Sequence, residues 1–134
     1  MKIYFVGINN KKGFCPLDSK TKTGKVIDLI ISKLKCETIK TNLCDCNFLP
    51  DLKDIRKYAL EWHEKNSPKE NDIIILLGKF VEKNFIKYNG LMILEKHPSY
   101  IFGNKNIITY VDQVLIDISN IINECGFNNN NIIK

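Results

Sequence analysis

Four short apolar runs constrain the fold of this chain more than any other feature. They cover residues 2–8, 39–43, 72–77 and 91–95, and segments with helical spacing of apolar residues separate them. This alternation is typical of βαβ units, in which a helix connects two parallel strands. We therefore predict an α/β three-layer sandwich with a central four-stranded, mostly parallel sheet.

The segments between the runs carry recognisable helix signals. We expect a helix after Thr23, a second from about Asp51 to residue 66, and a short one from Gly78 to about residue 85. Asp51 is a plausible N-cap because its carboxylate can accept hydrogen bonds from the first turn. The last helix is expected over residues 106–125, where apolar residues recur every three or four positions. Tyr88, Asn89 and Gly90 are typical of a turn.

The chain of 134 residues shows neither an internal repeat nor a linker. We expect one domain over residues 1–127, followed by a flexible, Asn-rich tail at 128–134. The first residues do not resemble a secretory signal, and no apolar stretch approaches the roughly 20 residues that span a bilayer. Five cysteines without paired spacing favour reduced thiols. We therefore expect a cytoplasmic or nuclear monomer, and the net charge of +5 suits a polyanionic partner.

Each apolar run ends in a residue that is small or can take part in chemistry. These residues are Asn9, Asn42, Gly78 and His97. Parallel strands have their carboxyl ends along one edge of the sheet, and open α/β sheets bind ligands at that edge. The sequence therefore predicts that these four positions line a single pocket.

Four ordered segments resemble motifs of the uracil-DNA glycosylase superfamily, most closely its mismatch-specific and single-strand-selective types. Residues 4–9, YFVGIN, resemble the first motif, in which a strand ends in Gly-hydrophobic-Asn. Residues 40–43, KTNL, resemble the second strand, and residues 75–79, ILLGK, resemble the strand-to-glycine turn that follows. His97-Pro98-Ser99 matches the third motif. The resemblance extends from residue 2 to about residue 119.

This resemblance implies hydrolysis of the N-glycosidic bond of uracil, or of a related damaged pyrimidine, in DNA. Such cleavage builds negative charge on the departing base, which His97 would stabilise as a hydrogen-bond donor. Asn9 would position the water, although an amide cannot act as a strong base. Asn42 would read the base, since its amide offers both a donor and an acceptor.

The resemblance also implies supporting roles for other residues. Gly7 and Ile8 belong to the first motif, and either Phe14 or Leu17 takes the place of the base-stacking aromatic residue. Either Tyr100 or Ile101 would be the wedge that fills the gap when a base leaves the stack. The expected phosphate contacts are Lys11, Lys12, Lys22, Lys25 and Ser99.

Two departures from the family pattern leave alternatives open. Asn10-Lys11 stands where the family usually has Pro-Gly, and the cysteines do not follow the spacing of the iron–sulfur branches. We expect no iron–sulfur cluster, metal or organic cofactor. One alternative is a non-catalytic relative that binds nucleic acid or a nucleotide, and another is a hydrolase of free nucleosides or nucleotides. Taken singly, Asn9 and Asn42 fit a turn-forming role better than a functional one. Asp18 could be a base, although an aspartate in a loop is more often a cap or a turn residue.

Overall fold

A computed structural model describes residues 1–88 and 90–134 of the chain. Within these ranges four strands form one sheet in the order β2-β1-β3-β4, and every pairing is parallel. The strands are β1 (Lys2–Asn9), β2 (Glu37–Cys44), β3 (Ile73–Leu77) and β4 (Leu91–Glu95). The four predicted runs are thus confirmed as parallel strands. Of the turn predicted at residues 88–90, Asn89 lies outside the described residues.

Two helices cover each face of the sheet, which confirms the α/β architecture. Helices α1 (Lys22–Ile31) and α4 (Asn104–Glu124) pack on one face, and α2 (Leu52–Asn66) and α3 (Lys79–Asn84) pack on the other. The two central strands bury residues on both faces: all five residues of β3 are buried, as its uninterrupted apolar sequence predicts. None of the helices in the described ranges is long and apolar enough to cross a membrane.

The helix starts differ slightly from the predicted ones. α1 begins at Lys22 rather than after Thr23, because the hydroxyl of Thr21 caps it by accepting from the backbone N–H of Gly24 at 3.0 Å. Asp51 lies at the N-cap of α2, as predicted, but its side chain makes no capping hydrogen bond. Its backbone carbonyl accepts from Asp54 and Ile55 instead.

The structure differs from the expected flexible tail at residues 128–134. A short 3₁₀ helix forms at Asn129–Asn131, and Ile132 is buried against the α1–α4 core. The backbone N–H of Lys35 donates to the carbonyl of Ile132 at 2.7 Å, and that of Lys134 donates to Lys33 at 2.9 Å. The segment is therefore attached to the loop that follows α1.

Candidate functional site

Strand register places the two asparagines of the predicted site beside each other at the carboxyl edge of the sheet. Gly7 of β1 is paired with Asn42 of β2, and Asn9 ends β1 two residues later. His97 follows β4 by two residues. These side chains open into one cleft of about 390 Å³, within the range of about 300–1,000 Å³ that is common for ligand pockets. We call it the rim cleft, and its lining residues are Ile8, Asn9, Asn10, Lys11, Phe14, Cys15, Leu17, Asp18, Thr21, Lys22, Thr23, Asn42, His97 and Ser99.

Asn42 lies deep in the rim cleft, and the position of its side chain requires a glycine at the neighbouring position 7. The residue is only 6% exposed. A Cβ atom built on Gly7 would lie 2.5 Å from Oδ1 of Asn42 and 3.0 Å from Cδ2 of Leu17. Any side chain at position 7 would therefore displace the amide, which explains why a small residue ends this part of β1.

His97 is held in a defined tautomer by the turn that follows it. Pro98 opens a 3₁₀ helix over Pro98–Tyr100, and Nδ1 of His97 accepts from the backbone N–H of Ser99 at 3.2 Å. The hydroxyl of Ser99 lies 2.7 Å from the same nitrogen. A backbone N–H can only donate, so Nδ1 is unprotonated and the neutral ring carries its proton on Nε2.

The surroundings of His97 favour this neutral form. Burial lowers the pKa of His97 below its ordinary value of 6.5, because desolvation penalises the charged ring. Gly78, with φ of +94°, lies at the start of α3 and close to His97. A Cβ atom at position 78 would lie 3.2 Å from Cβ of His97. His97 is therefore a neutral Nε2–H donor at pH 7.

Asn9 and Asp18 differ in how many hydrogen bonds their side chains already make within the protein. The amide nitrogen of Asn9 makes one long contact, 3.4 Å to the carbonyl of Asn10. Asp18 accepts from the backbone N–H groups of Lys20 at 2.9 Å and Cys15 at 3.1 Å. These two hydrogen bonds, led by that from Lys20, lower the pKa of Asp18. Asp18 is thus a turn-forming residue and a weak base.

The two candidates for base stacking occupy different parts of the rim cleft. Phe14 is half-buried in its wall. Leu17 is buried beside Gly7 and adopts φ of +50°, a left-handed conformation that non-glycine residues rarely take. Leu17 therefore forms the floor of the cleft. Phe14, in the wall, is the residue that is available to contact a ligand.

The expected DNA-contacting residues surround the cleft unevenly. Lys11 and Lys22 line it, whereas Lys12 and Lys25 are exposed on the same loop and on the first turn of α1. The ammonium of Lys22 lies 4.3 Å from the ring centroid of Phe102.

The two candidate wedges also differ in exposure. Tyr100 is 76% exposed, while Ile101 packs against the α1–α4 core. Only Tyr100 therefore projects from the surface. It also lines a neighbouring, more apolar cavity of about 650 Å³. That cavity shares Ile8, His97 and Ser99 with the rim cleft. Gly78, which was predicted to line the same pocket as Asn9, Asn42 and His97, lines this cavity and not the rim cleft.

Asn10 is a site residue that the sequence reasoning missed. Its Oδ1 lies beside the side-chain amide of Asn42, and its own Nδ2 lies 3.5 Å from Oδ1 of Asp45. The other oxygen of Asp45 lies 3.2 Å from the ammonium of Lys65. The only signal in the sequence was that Asn10-Lys11 replaces Pro-Gly after Asn9. This difference does not predict where the side chain of Asn10 lies.

Cys44 and the second histidine, His63, are not among the residues that line the rim cleft. Burial raises the pKa of Cys44 to about 11, so its thiol is unreactive at neutral pH. His63 packs against Trp62 and Phe85, and its Nε2 lies 2.7 Å from the carbonyl of Ile86, as the packing interpretation predicts. Within residues 1–88 and 90–134, no three His, Cys, Asp or Glu side chains are grouped as metal ligands.

Two sequence comparisons provide no relative from which a function could be transferred to this chain. No protein-family model matches its sequence, and no curated protein matches it significantly. The functional assignment therefore rests on the geometry of the rim cleft and on the motifs in the sequence.

Proposed function

We propose that this protein is a monofunctional DNA glycosylase that hydrolyses the N-glycosidic bond of uracil or a related damaged pyrimidine. One observation carries the proposal: Asn9, Asn42 and His97, from three different strand ends, line the same cleft. Their spacing along the sequence resembles that of the uracil-DNA glycosylase motifs. Their chemistry also matches the three requirements of base excision, which are a positioned water, a base reader and a donor to the leaving base.

His97 stabilises the departing base in this proposal. As the glycosidic bond breaks, its electron pair moves onto the base, and the carbonyl oxygen beside the bond becomes more negative. The Nε2–H of His97 donates to that oxygen without first having to lose or gain a proton. A fixed donor of this kind is worth about 10²- to 10³-fold in rate.

Asn9 and Asn42 take the other two roles. Asn9 orients a water molecule toward the sugar carbon, and the proton lost by that water passes to solvent. Asn42 pairs with the edge of the base through its amide. Because no free carboxylate lines the described part of the rim cleft apart from the hydrogen-bonded Asp18, we expect a slow enzyme.

The surroundings of the cleft suit DNA as the partner. Lys11, Lys12, Lys22 and Lys25 lie in or beside the cleft, where they can neutralise phosphates. A base must leave the helical stack to enter such a pocket, and in this proposal the exposed ring of Tyr100 fills the gap that it leaves.

The proposal is tested by incubating the purified protein with oligonucleotides that contain one uracil, single-stranded or paired with guanine or adenine. Free uracil is measured by mass spectrometry, and abasic sites are measured by alkaline cleavage. We expect release from at least one substrate, and a large loss of it in Asn9→Ala and Asn42→Ala. His63→Gln is the matched control, since that ring lies outside the cleft. No release from any strand would refute the enzymatic proposal.

A non-catalytic, nucleotide-binding relative is the second candidate. The observation that favours it is the same lack of a free carboxylate, since glycosidic hydrolysis usually relies on one. This candidate predicts that uracil-containing DNA binds equally well to wild type and His97→Ala while no base is released. A nucleoside or nucleotide hydrolase would instead release uracil from deoxyuridine monophosphate faster than from a DNA strand.

A further inference from the structure

The loop between β2 and α2 exposes several large apolar side chains in one short segment. Phe48 is 62% exposed, Leu49 is 59% exposed, and Leu52, the first residue of α2, is 75% exposed. Pro50, which lies between them in the sequence, is buried and anchors the loop. Single exposed apolar residues are common on protein surfaces, but a group of them marks a place where another molecule binds. We call Phe48, Leu49 and Leu52 the β2–α2 patch.

The β2–α2 patch lies at the carboxyl edge of the sheet, beside the rim cleft. The backbone carbonyl of Cys46 accepts from the backbone N–H of Asn10 at 3.0 Å, and Asn10 lines the cleft. The thiol of Cys46 lies 3.0 Å from the backbone carbonyl of Phe48. The base of the loop is therefore attached to the end of β1, and Phe48 and Leu49 project from a fixed support.

The exposed side chains that follow the patch on α2 are mostly basic. Lys53, Arg56 and Lys57 are exposed on the first two turns of the helix, and Arg56 is the single arginine of the sequence. These cations outnumber the two acids of the same segment, Asp51 and Asp54. Apolar wedges flanked by Arg and Lys are the combination with which proteins enter the minor groove of duplex DNA. The charge and the apolar tip of this surface therefore both suit DNA.

The positions of the two edge strands indicate how a duplex would contact the protein. β2 and β4 are the outer strands of the sheet, so the loops that follow them are three strand spacings apart, roughly 14 Å. This separation equals about four base-pair steps of DNA, which rises about 3.4 Å per step. The β2–α2 patch and the exposed Tyr100 therefore lie at opposite ends of the edge that carries the rim cleft, within reach of one duplex.

We propose that the β2–α2 patch is a second DNA-binding surface, in which Phe48 and Leu49 enter the minor groove of duplex DNA and Arg56 and Lys57 bind the flanking phosphates. This inference rests on the proposed function for the identity of the partner. It adds a preference for double-stranded over single-stranded DNA. A duplex contacts both the patch and Tyr100 because its stacked base pairs keep a fixed spacing, whereas a flexible single strand has no such spacing.

The double variant Phe48→Ser/Leu49→Ser tests the patch without disturbing the core, since both side chains are exposed. Leu29→Ser/Ile116→Ser is the matched control, because these residues are 48% and 51% exposed on α1 and α4, which cover the other face of the sheet. Binding is measured by fluorescence anisotropy on a duplex that carries a tetrahydrofuran abasic-site analogue at the target position, and on the isolated strand. This probe has no base to release, so the measurement is independent of catalysis.

We expect Phe48→Ser/Leu49→Ser to bind the duplex about tenfold more weakly than wild type, which corresponds to the loss of one inserted or stacked side chain. Its affinity for the isolated strand, and both affinities of the control, are expected to stay the same. Arg56→Gln should reduce the salt dependence of log Kd for the duplex by about one unit. Because insertion unstacks a base step, 2-aminopurine at one step within about four base pairs of the target should brighten with wild type and not with the double variant.

Equal duplex affinity of wild type and Phe48→Ser/Leu49→Ser overturns the inference, and so does an equal loss in the control. If the variant instead loses self-association in sedimentation, or binding to phosphatidylserine vesicles, while its duplex affinity is unchanged, the patch binds a second copy or a membrane and the inference is wrong. If wild type releases no uracil but the variant shows the selective loss of duplex binding, the glycosylase proposal fails and the DNA-binding surface stands. Normal uracil release together with unchanged duplex binding rejects the surface alone.

Discussion

Both ends of the sheet carry polar side chains. At the amino end these side chains bind backbone groups, whereas at the carboxyl end they line a cleft. At the amino end, the carboxylate of Asp72 accepts from the backbone N–H of Lys2 at 2.8 Å and of Lys69 at 2.9 Å, and the residue is 3% exposed. At the carboxyl end, Asn42 and His97 each contact a neighbouring polar group and also line the rim cleft. A polar residue whose capacity is taken up by backbone groups maintains the fold, whereas one with spare capacity in a cleft is available for a ligand.

His97→Ala tests the carboxyl end with the largest expected effect. Removing the Nε2–H donor is expected to lower the rate of uracil release about 10²- to 10³-fold. The ring has its hydrogen bond within its own turn, so the melting temperature is expected to change little. Single-turnover kinetics and thermal denaturation measure the two quantities, and a large fall in stability would place His97 with Asp72 as a structural residue.

Asp72→Ala tests the amino end. It leaves the two backbone N–H groups of Lys2 and Lys69 without their buried acceptor, so we expect a loss of about 2–3 kcal/mol in the free energy of unfolding. Asp72→Asn keeps one acceptor and should lose less. Urea denaturation provides the measurement, and the rate per folded molecule should be unchanged. A variant of normal stability would show that the carboxylate does not hold β1 and β3 together.

The pH dependence of base release sharpens the role of His97. Its pKa lies below 6.5, so the neutral ring that donates from Nε2 is the main form at pH 7. Protonation of Nδ1 breaks its contact with the N–H of Ser99. We therefore expect the rate to be constant above neutrality and to fall about tenfold per pH unit below the pKa. A rate that rises toward acid would instead indicate that the charged imidazolium is the active donor.

Glu95 is expected to make the stability of the fold depend on pH. This effect is smaller than that of His97 on the rate, and the loss occurs as the pH rises rather than as it falls. Burial, and then the facing carboxyl of Asp117, raise the pKa of Glu95 to about 8. The folded state therefore keeps a proton that the unfolded chain loses near pH 4.5, and this contribution to stability disappears as pH rises toward 8. At pH 8 we expect Glu95→Gln to be more stable than wild type by about 1–2 kcal/mol, discounted for solvent screening. At pH 4 the two should melt alike, and thermal scans at both pH values test this.

The lysines beside the cleft should give the smallest effect. Replacing Lys12 or Lys25 by Gln is expected to weaken DNA binding by less than about 1 kcal/mol and to reduce the salt dependence of log Kd by about one unit. Lys33, exposed beyond the other end of α1, provides the matched control. Equal effects at all three positions would mean that the positive charge acts through the whole surface rather than at the cleft.

The fold could be predicted because each element repeats a local pattern. All five residues of β3 are apolar and buried, and the buried apolar residues of α4 recur every three or four positions. Both patterns can be recognised in the sequence. The convergence of Asn9, Asn42 and His97 was also predictable, since the ends of parallel strands must share an edge.

The loops and the chain terminus were not predictable in the same way. The side chain of Asn10 lies 3.5 Å from the carboxylate of Asp45, 35 positions away, and no local sequence pattern predicts such a contact. Ile132 and Ile133 pair with the loop after α1, which lies about 100 positions earlier in the chain. Two apolar residues are too short a pattern to predict this pairing from the sequence.

The most direct test compares wild type, His97→Ala and Asp72→Ala for uracil release at equal concentrations of folded protein. If the carboxyl edge holds the chemistry and the amino end holds the fold, wild type and Asp72→Ala release uracil at similar rates while His97→Ala is at least about a hundredfold slower. Equal rates for wild type and His97→Ala would contradict this division of the sheet and the catalytic role of the rim cleft.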